Sequence, residues 1–275
     1  MKLLIKTLSI LGILILLMYM GICIYLYTNQ DNLLFHPKPK SFSEIKDALK
    51  AQPNFDTLCY IMADGTKING FISRDSANSK MPVVIYYGGN AEEVSHVMEK
   101  KNYFPRFKLA LFNYRGYGLS EGKISQDNMF SDALEIIDKL KTRADVDTSH
   151  VNIIGRSIGT GVATYATSKR KVHATALITP YGSMIDVAQE KYPIIPIGLL
   201  IKHPFNSNSY AETIHTKMLS LIAHNDQVIP TQHAYDLLKH WKGKTEFLEV
   251  NEDHGTIMQN DEAWRKIEGF ISDNN

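Results

Sequence analysis

Cysteine is nearly absent, with only Cys23 and Cys59 in 275 residues. One lies in an apolar N-terminal run and the other in a strand-like segment. The fold therefore does not rest on disulfides, and cysteine usage says nothing about compartment. A charge of one sign is also missing. Lys+Arg 30 against Asp+Glu 29 leaves a net charge of +1. That balance gives no electrostatic footprint for nucleic acid or for an acidic partner, so no nucleic acid is expected. There is no internal repeat, and no low-complexity tract beyond the N-terminal run. The length then fits one large α/β domain or at most two small ones, and a hydrophobic content of 44% allows a sizeable core.

Charge is wholly absent from Thr7 to Tyr27, where Leu, Ile and Met dominate. As a helix this run spans about 31 Å, close to the hydrocarbon thickness of a bilayer. Tyr19, Tyr25 and Tyr27 cluster toward its far end, as an interfacial aromatic belt does. No A-x-A-like cleavage site follows, and the large Ile22 before Cys23 makes a poor lipoprotein signal. Residues 1–28 read as an uncleaved single-pass anchor whose partner is the bilayer, through residues 7–27. Lys2 and Lys6 on the near side put the N-terminus in the cytoplasm and the rest of the chain on the non-cytoplasmic side. Lys38 and Lys40 on the far side act against that bias.

Residues 29–54 form a polar connector with one helical stretch near Ser43–Leu49, which Ser43 is placed to cap. Residues 55–275 alternate strand-like and helical segments. Leu58–Met62 and Ile68–Ser73 flank the Asp64-Gly65 turn signal. Pro82–Tyr87, Lys108–Tyr114, Val151–Ile154, Ala174–Ile178, Met218–Ala223 and Thr245–Val250 read as further strands. Met129, Ala133, Ile136, Ile137 and Leu140 give Asp127–Lys141 a helical period, and Glu262–Ser272 reads as a closing helix. Such alternation implies an α/β fold with a mainly parallel sheet covered on both faces.

The chemistry centres on Gly155-Arg156-Ser157-Ile158-Gly159, a G-x-S-x-G between a β-branched run and a small-residue helical segment. Strand, sharp turn and helix are the context of a nucleophile elbow, in which a Cβ on either side of the serine collides with neighbouring strand or helix. A serine hydroxyl needs a base, and in this arrangement the chain order is Ser, then Asp or Glu, then His. Asp226 follows the strand ending at Ala223. His254 follows the strand ending at Val250, with Gly255 after it. Of the other histidines, His173 and His215 precede the acid, His224 is too near it, and His233 and His240 fall in a helical segment. Asp31, Glu252 and Asp253 read as solvated. An oxyanion hole needs backbone N–H donors. Ile158 supplies one, and the Gly88-Gly89-Asn90 loop the other, from Asn90 first and Gly89 second. Asn90 can also serve as an N-cap, since Ala91-Glu92-Glu93 reads as the acidic first turn of a helix. Asn113–Gly122 is Gly-rich but is not G-x-G-x-x-G, which leaves nucleotide binding without support; it reads as a structural loop with Arg115 paired locally.

These motifs occur in one order: Gly88-Gly89-Asn90-Ala91-Glu92, Asn113-Tyr114-Arg115-Gly116-Tyr117-Gly118-Leu119-Ser120, Gly155-Arg156-Ser157-Ile158-Gly159-Thr160-Gly161, His224-Asn225-Asp226 and Asp253-His254. From about residue 30 onward the chain resembles the α/β-hydrolase superfamily, and within it the small membrane-tethered serine hydrolases that look like depalmitoylases. The resemblance implies an eight-stranded, mostly parallel sheet and a catalytic triad of Ser157, Asp226 and His254, with no metal and no organic cofactor. Gly88 departs from the pattern, because many relatives carry a histidine there.

The segment of about 180–212 lies where such hydrolases carry a cap, and its length excludes a large lid. Its apolar stretch Tyr192–Ile201 reads either as an acyl-chain groove near the membrane or as a helix packed on the sheet. The expected activity is hydrolysis of a small-molecule or lipid-like carboxylic ester or thioester through an acyl-enzyme. Two rivals stand beside it: a peptidase or amidase on the same triad, and a non-catalytic membrane scaffold. The small cap lacks a propeller-sized peptide filter and so favours ester cleavage.

Overall fold

The computed structural model describes residues 1–74 and 80–273, so the last two residues of the 55–275 stretch lie outside them. Two helices come first, α1 (Lys2–Leu34) and α2 (Phe42–Ala51). Eight strands follow: β1 (Phe55–Ile61), β2 (Lys67–Ser73), β3 (Met81–Tyr87), β4 (Lys108–Phe112), β5 (Val146–Arg156), β6 (Ala174–Ile178), β7 (Lys217–Ala223) and β8 (Thr245–Val250). They form one sheet in the order β1-β2-β4-β3-β5-β6-β7-β8. β2 runs antiparallel to β1 and β4, and all other pairings are parallel. The β1–β2 hairpin closes at Gly65, which takes φ 84° and donates its N–H to the Met62 carbonyl at 2.8 Å. A side chain there would meet the left-handed penalty that glycine escapes.

The central strands are apolar on both faces, as parallel strands covered twice must be. Successive residues of β3 serve opposite cores. Val83, Ile85 and Tyr87 pack with α3 (Gln126–Lys141) and α4 (Ile158–Lys169). Val84 and Tyr86 pack with the 3-10 helix Val94–Tyr103 and α9 (Asp261–Ser272). Each such side chain contributes about 1.5–3 kcal/mol on burial. Between β6 and β7 lie three short helices, α5 (Met184–Lys191), α6 (Ile197–Leu200) and α7 (Ser207–Ala211); α8 (Thr231–His240) joins β7 to β8.

The C-terminal ends of the parallel strands are level. Tyr87 pairs with Gly155, Ile178 with Leu221, and Ala223 with Val250. The loops after β3, β5, β7 and β8 therefore leave the sheet along one edge, where ligands of open α/β sheets bind.

Three local expectations are corrected. Ser41, not Ser43, caps α2, in a capping box with Glu44. No helix starts at Ala91; the 3-10 helix starts at Val94 with Glu93 as its cap, because Glu92 turns inward. Arg115 does not pair locally: it is buried and bridges Asp132 and Asp64.

α1 is long and apolar enough to cross a membrane, as a single span or a signal anchor, with a mean hydropathy of 2.5 over its most apolar 18 residues. It continues seven residues past Tyr27 to Leu34. Phe35, the first residue beyond it, is buried edge-on against His203 and Phe205. Asp31, read as solvated, is half-buried and pairs with His203 and Lys123. Hydrogen bonds from Lys123 first and His203 second hold its carboxyl at about 2.

Candidate active site

β5 delivers Ser157 at a turn with φ 50° and ψ −121°. The turn is tight because α4 starts at the next residue. A Cβ on Gly159 would collide with the Tyr87 and Gly88 carbonyls at the end of β3, and one on Gly155 with Gly159 and Ala163 of α4. The Ser157 N–H is held by the Ile178 carbonyl at 2.9 Å, and its side chain caps nothing, which leaves Oγ free to point away from the sheet.

Asp226 leaves β7 in a turn that it closes itself. Its Oδ1 accepts from the Val228 and Ile229 N–H groups, both at 2.8 Å. Its other oxygen, Oδ2, lies 2.7 Å from Nδ1 of His254. The turn role and the contact with histidine thus use different oxygens of one carboxylate, whose side chain is 2% exposed. His254 stands on the loop after β8, shaped by Asp253, whose Oδ1 accepts from the Gly255 and Thr256 N–H groups. His254 Nε2 lies 2.9 Å from Ser157 Oγ. A carboxylate only accepts, so Nδ1 carries the proton and Nε2 accepts from the serine hydroxyl.

Above Ser157 the β3 loop turns back. The N–H groups of Asn90 and Ile158 have no acceptor among the described residues. Gly89 does not share that property: its N–H donates to the Glu92 carboxylate, which removes it as an oxyanion donor. The Asn90 side chain is no helix cap. Its Nδ2 donates to the Leu34 carbonyl, and its Oδ1 accepts from the His36 N–H at 3.0 Å. The Gly88 carbonyl is held by the Tyr114 hydroxyl at 2.9 Å.

Sequence reasoning missed two residues that tie these loops together. Arg156 donates from one nitrogen to Glu92 at 3.0 Å and from another to the His254 carbonyl at 3.3 Å. Glu92, 3% exposed, also accepts from the Tyr86 hydroxyl at 2.9 Å and faces His96 at 3.2 Å. Burial pushes the Glu92 carboxyl up, but His96, Arg156 and the Gly89 N–H outweigh it and hold it at about 2. His96 is in turn raised, chiefly by its hydrogen bond with Glu92. Arg156 is the first x of G-x-S-x-G, and no pattern marks that position.

A cavity of about 360 Å³ opens beside Ser157 and Ile158, with Ile195 and Leu200 of the cap among its walls. That volume is within the range of small-molecule sites, about 300–1,000 Å³. Among the described residues, no group of three or more His, Cys, Asp or Glu is placed to hold a metal ion.

Residues 81–197 match a family model described as the alpha/beta hydrolase fold. The chain is 25% identical over 212 residues to the uncharacterized protein Rv2307c of Mycobacterium tuberculosis, covering 76% of this chain and 74% of that one. It is 25% identical over 224 residues to the alpha/beta hydrolase domain-containing protein WAV2 of Arabidopsis thaliana, covering 74% and 73%. Among solved structures, the acetyl xylan esterase of Paenibacillus sp. R4 superposes with a TM-score of 0.67 at 16% identity, over 89% of this chain and 98% of that one. The Pyrococcus furiosus esterase Pf2001 gives 0.68 at 17%, over 87% and 98%. The strand order, the elbow after β5 and the matched family model lead to one conclusion: the chain has the alpha/beta hydrolase fold.

Proposed function

We propose that this chain is a membrane-anchored serine hydrolase that cleaves carboxylic esters or thioesters. The observation that carries the reading is the unbroken hydrogen-bonded row Ser157 Oγ, His254 Nε2, His254 Nδ1, Asp226 Oδ2, at 2.9 and 2.7 Å. Ser157 Oγ attacks the carbonyl carbon as its proton passes to His254 Nε2. Asp226 keeps the imidazole in the required tautomer and stabilises the imidazolium. The carbonyl oxygen takes up negative charge against the Ile158 and Asn90 N–H groups. Collapse expels the alcohol or thiol, protonated by His254, and leaves an acyl-serine. Water, deprotonated by His254, then releases the acid and restores the hydroxyl.

The esterase neighbours support ester cleavage over amide cleavage, and so does the apolar wall of the cavity. Parallel assays on ester and aminoacyl-amide substrates separate the two. The absence of charge from Thr7 to Tyr27 supports a single-pass anchor, and Lys2 and Lys6 support a hydrolase domain on the non-cytoplasmic side.

The decisive experiment is labelling of the purified protein by a fluorophosphonate probe. Wild type labels, and both Ser157→Ala and His254→Ala abolish the label. A folded wild type that stays unlabelled removes the enzymatic reading and favours a scaffold.

A further inference from the structure

α1 does more in this structure than lead away from the domain. Leu26, Leu33 and Leu34 line the cavity beside Ser157, together with Ile195, Leu200 and Ile201 of the cap. Leu26, Gln30, Leu33 and Leu34 share a face by helical spacing. On that face Gln30 is a clasp: its Nε2 donates to the Leu200 carbonyl at 2.6 Å, and its Oε1 accepts from the Lys202 N–H at 2.8 Å. At the next residue, Asp31 pairs with His203 at 3.0 Å. Higher up the helix, the Tyr19 hydroxyl donates to the Ile194 carbonyl at 2.9 Å.

These contacts set the cap beside the apolar run: the residue bonded to the Ile194 carbonyl, Tyr19, lies eight residues before Tyr27. Ile194 is 78% exposed and Leu199 86% exposed, on the part of the cap that runs beside α1. Large exposed apolar side chains are costly in water and at no disadvantage in hydrocarbon. At its other end α1 reaches the reaction centre, because the Leu34 carbonyl and His36 N–H hold the Asn90 side chain.

We propose that the last two turns of α1 are part of the substrate site: they form the wall of a slot that takes the long acyl chain of an ester lipid, entered from the bilayer. The inference rests on the serine-hydrolase reading above. The chain lies between Leu26 and Leu33 on one side and Ile195 and Leu200 on the other, with its carbonyl at Ser157. Leu26 and Leu33 are then specificity-determining residues, and α1 selects substrate as well as holding the domain.

The test uses the full chain reconstituted in phosphatidylcholine vesicles, with p-nitrophenyl acetate and p-nitrophenyl dodecanoate as probes. We expect wild type to favour the dodecanoate in kcat/KM. Leu26→Trp fills the slot and lowers the dodecanoate-to-acetate ratio at least tenfold. Leu26→Ala, which introduces no clash, enlarges the slot and moves the preferred chain length upward across a series of p-nitrophenyl esters. A wild type that takes fluorophosphonate, with a chain-length profile that neither substitution moves, overturns the role of α1 and leaves the hydrolase intact. A wild type that takes no probe overturns the hydrolase reading beneath it.

Discussion

Ser157 occupies a backbone conformation, φ 50° and ψ −121°, that a residue with a Cβ adopts only under constraint. The constraint comes from Gly155 and Gly159, which let β5, β3 and α4 approach so closely that the chain between them has no relaxed alternative. Such strain costs about 1–3 kcal/mol and persists because the surrounding structure over-determines it. Glycine at 157 relieves it, at an entropic cost of about 0.5–1 kcal/mol. We therefore expect Ser157→Gly to be more stable than Ser157→Ala by about 1 kcal/mol, a difference of about 2–4 °C in Tm. Equal melting temperatures for the two variants would mean that the elbow stores no strain. At this scale the sequence was most legible for groups fixed by chain order. Ser157, Asp226 and His254 each follow an apolar run that stops, and parallel strands bring such stops to one edge. Arg156 and Glu92 were illegible for the opposite reason, since their importance comes from burial against each other across 64 residues.

The element that matters next is the set of loops after β3, β5 and β8, which Arg156 joins through Glu92 and the His254 carbonyl. Both charged side chains are largely withdrawn from solvent, at 15% and 3% exposure. Removing one partner of such a pair strands the other, at a cost of about 3–5 kcal/mol, whereas replacing both by apolar groups of similar volume is far milder. Arg156→Met should lower Tm by about 10 °C, and the double variant Glu92→Met with Arg156→Met should recover a large part of that loss. A double variant no more stable than the sum of the singles would show that the strut is not a coupled pair. The Asn90 N–H shares its loop with Glu92, so Arg156→Met should also lower kcat more than it raises KM. The strand pattern came through from sequence because buried parallel strands are continuous apolar runs. The helix expected at Ala91 did not form, because Glu92 points into the protein to meet Arg156 instead of staying in a solvated first turn. The α2 cap was open to a closer reading, since Ser41 and Glu44 have capping-box spacing.

At the scale of the molecule, α1 and the domain are one structure where they meet. α1 runs six residues into the connector expected over 29–54, and Phe35 is buried at its exit. The clasp at Gln30 joins residues about 170 positions apart, a pairing that periodicity and composition do not encode. Sequence nevertheless carries one property of the whole that the fold does not: the placement of charge about the apolar run. Lys2 and Lys6 lie before it, Lys38 and Lys40 after it, and α1 places the second pair beyond its own C-terminus. The proposed topology keeps Lys2 and Lys6 in the cytoplasm and has the domain on the non-cytoplasmic side. The two free cysteines make this measurable without engineering. Cys59 is exposed on β1, at the edge of the sheet, and Cys23 lies within the apolar run, out of reach of a charged reagent once that run is in a bilayer. A membrane-impermeant maleimide applied to intact cells should therefore label the protein at Cys59 before any lysis, and Cys59→Ser should remove the label. Labelling that appears only after permeabilisation would put the domain in the cytoplasm, with Lys38 and Lys40 outweighing the earlier pair. In that case the cap and its slot would face the cytoplasmic leaflet, and the ester lipids within reach would be those of that leaflet.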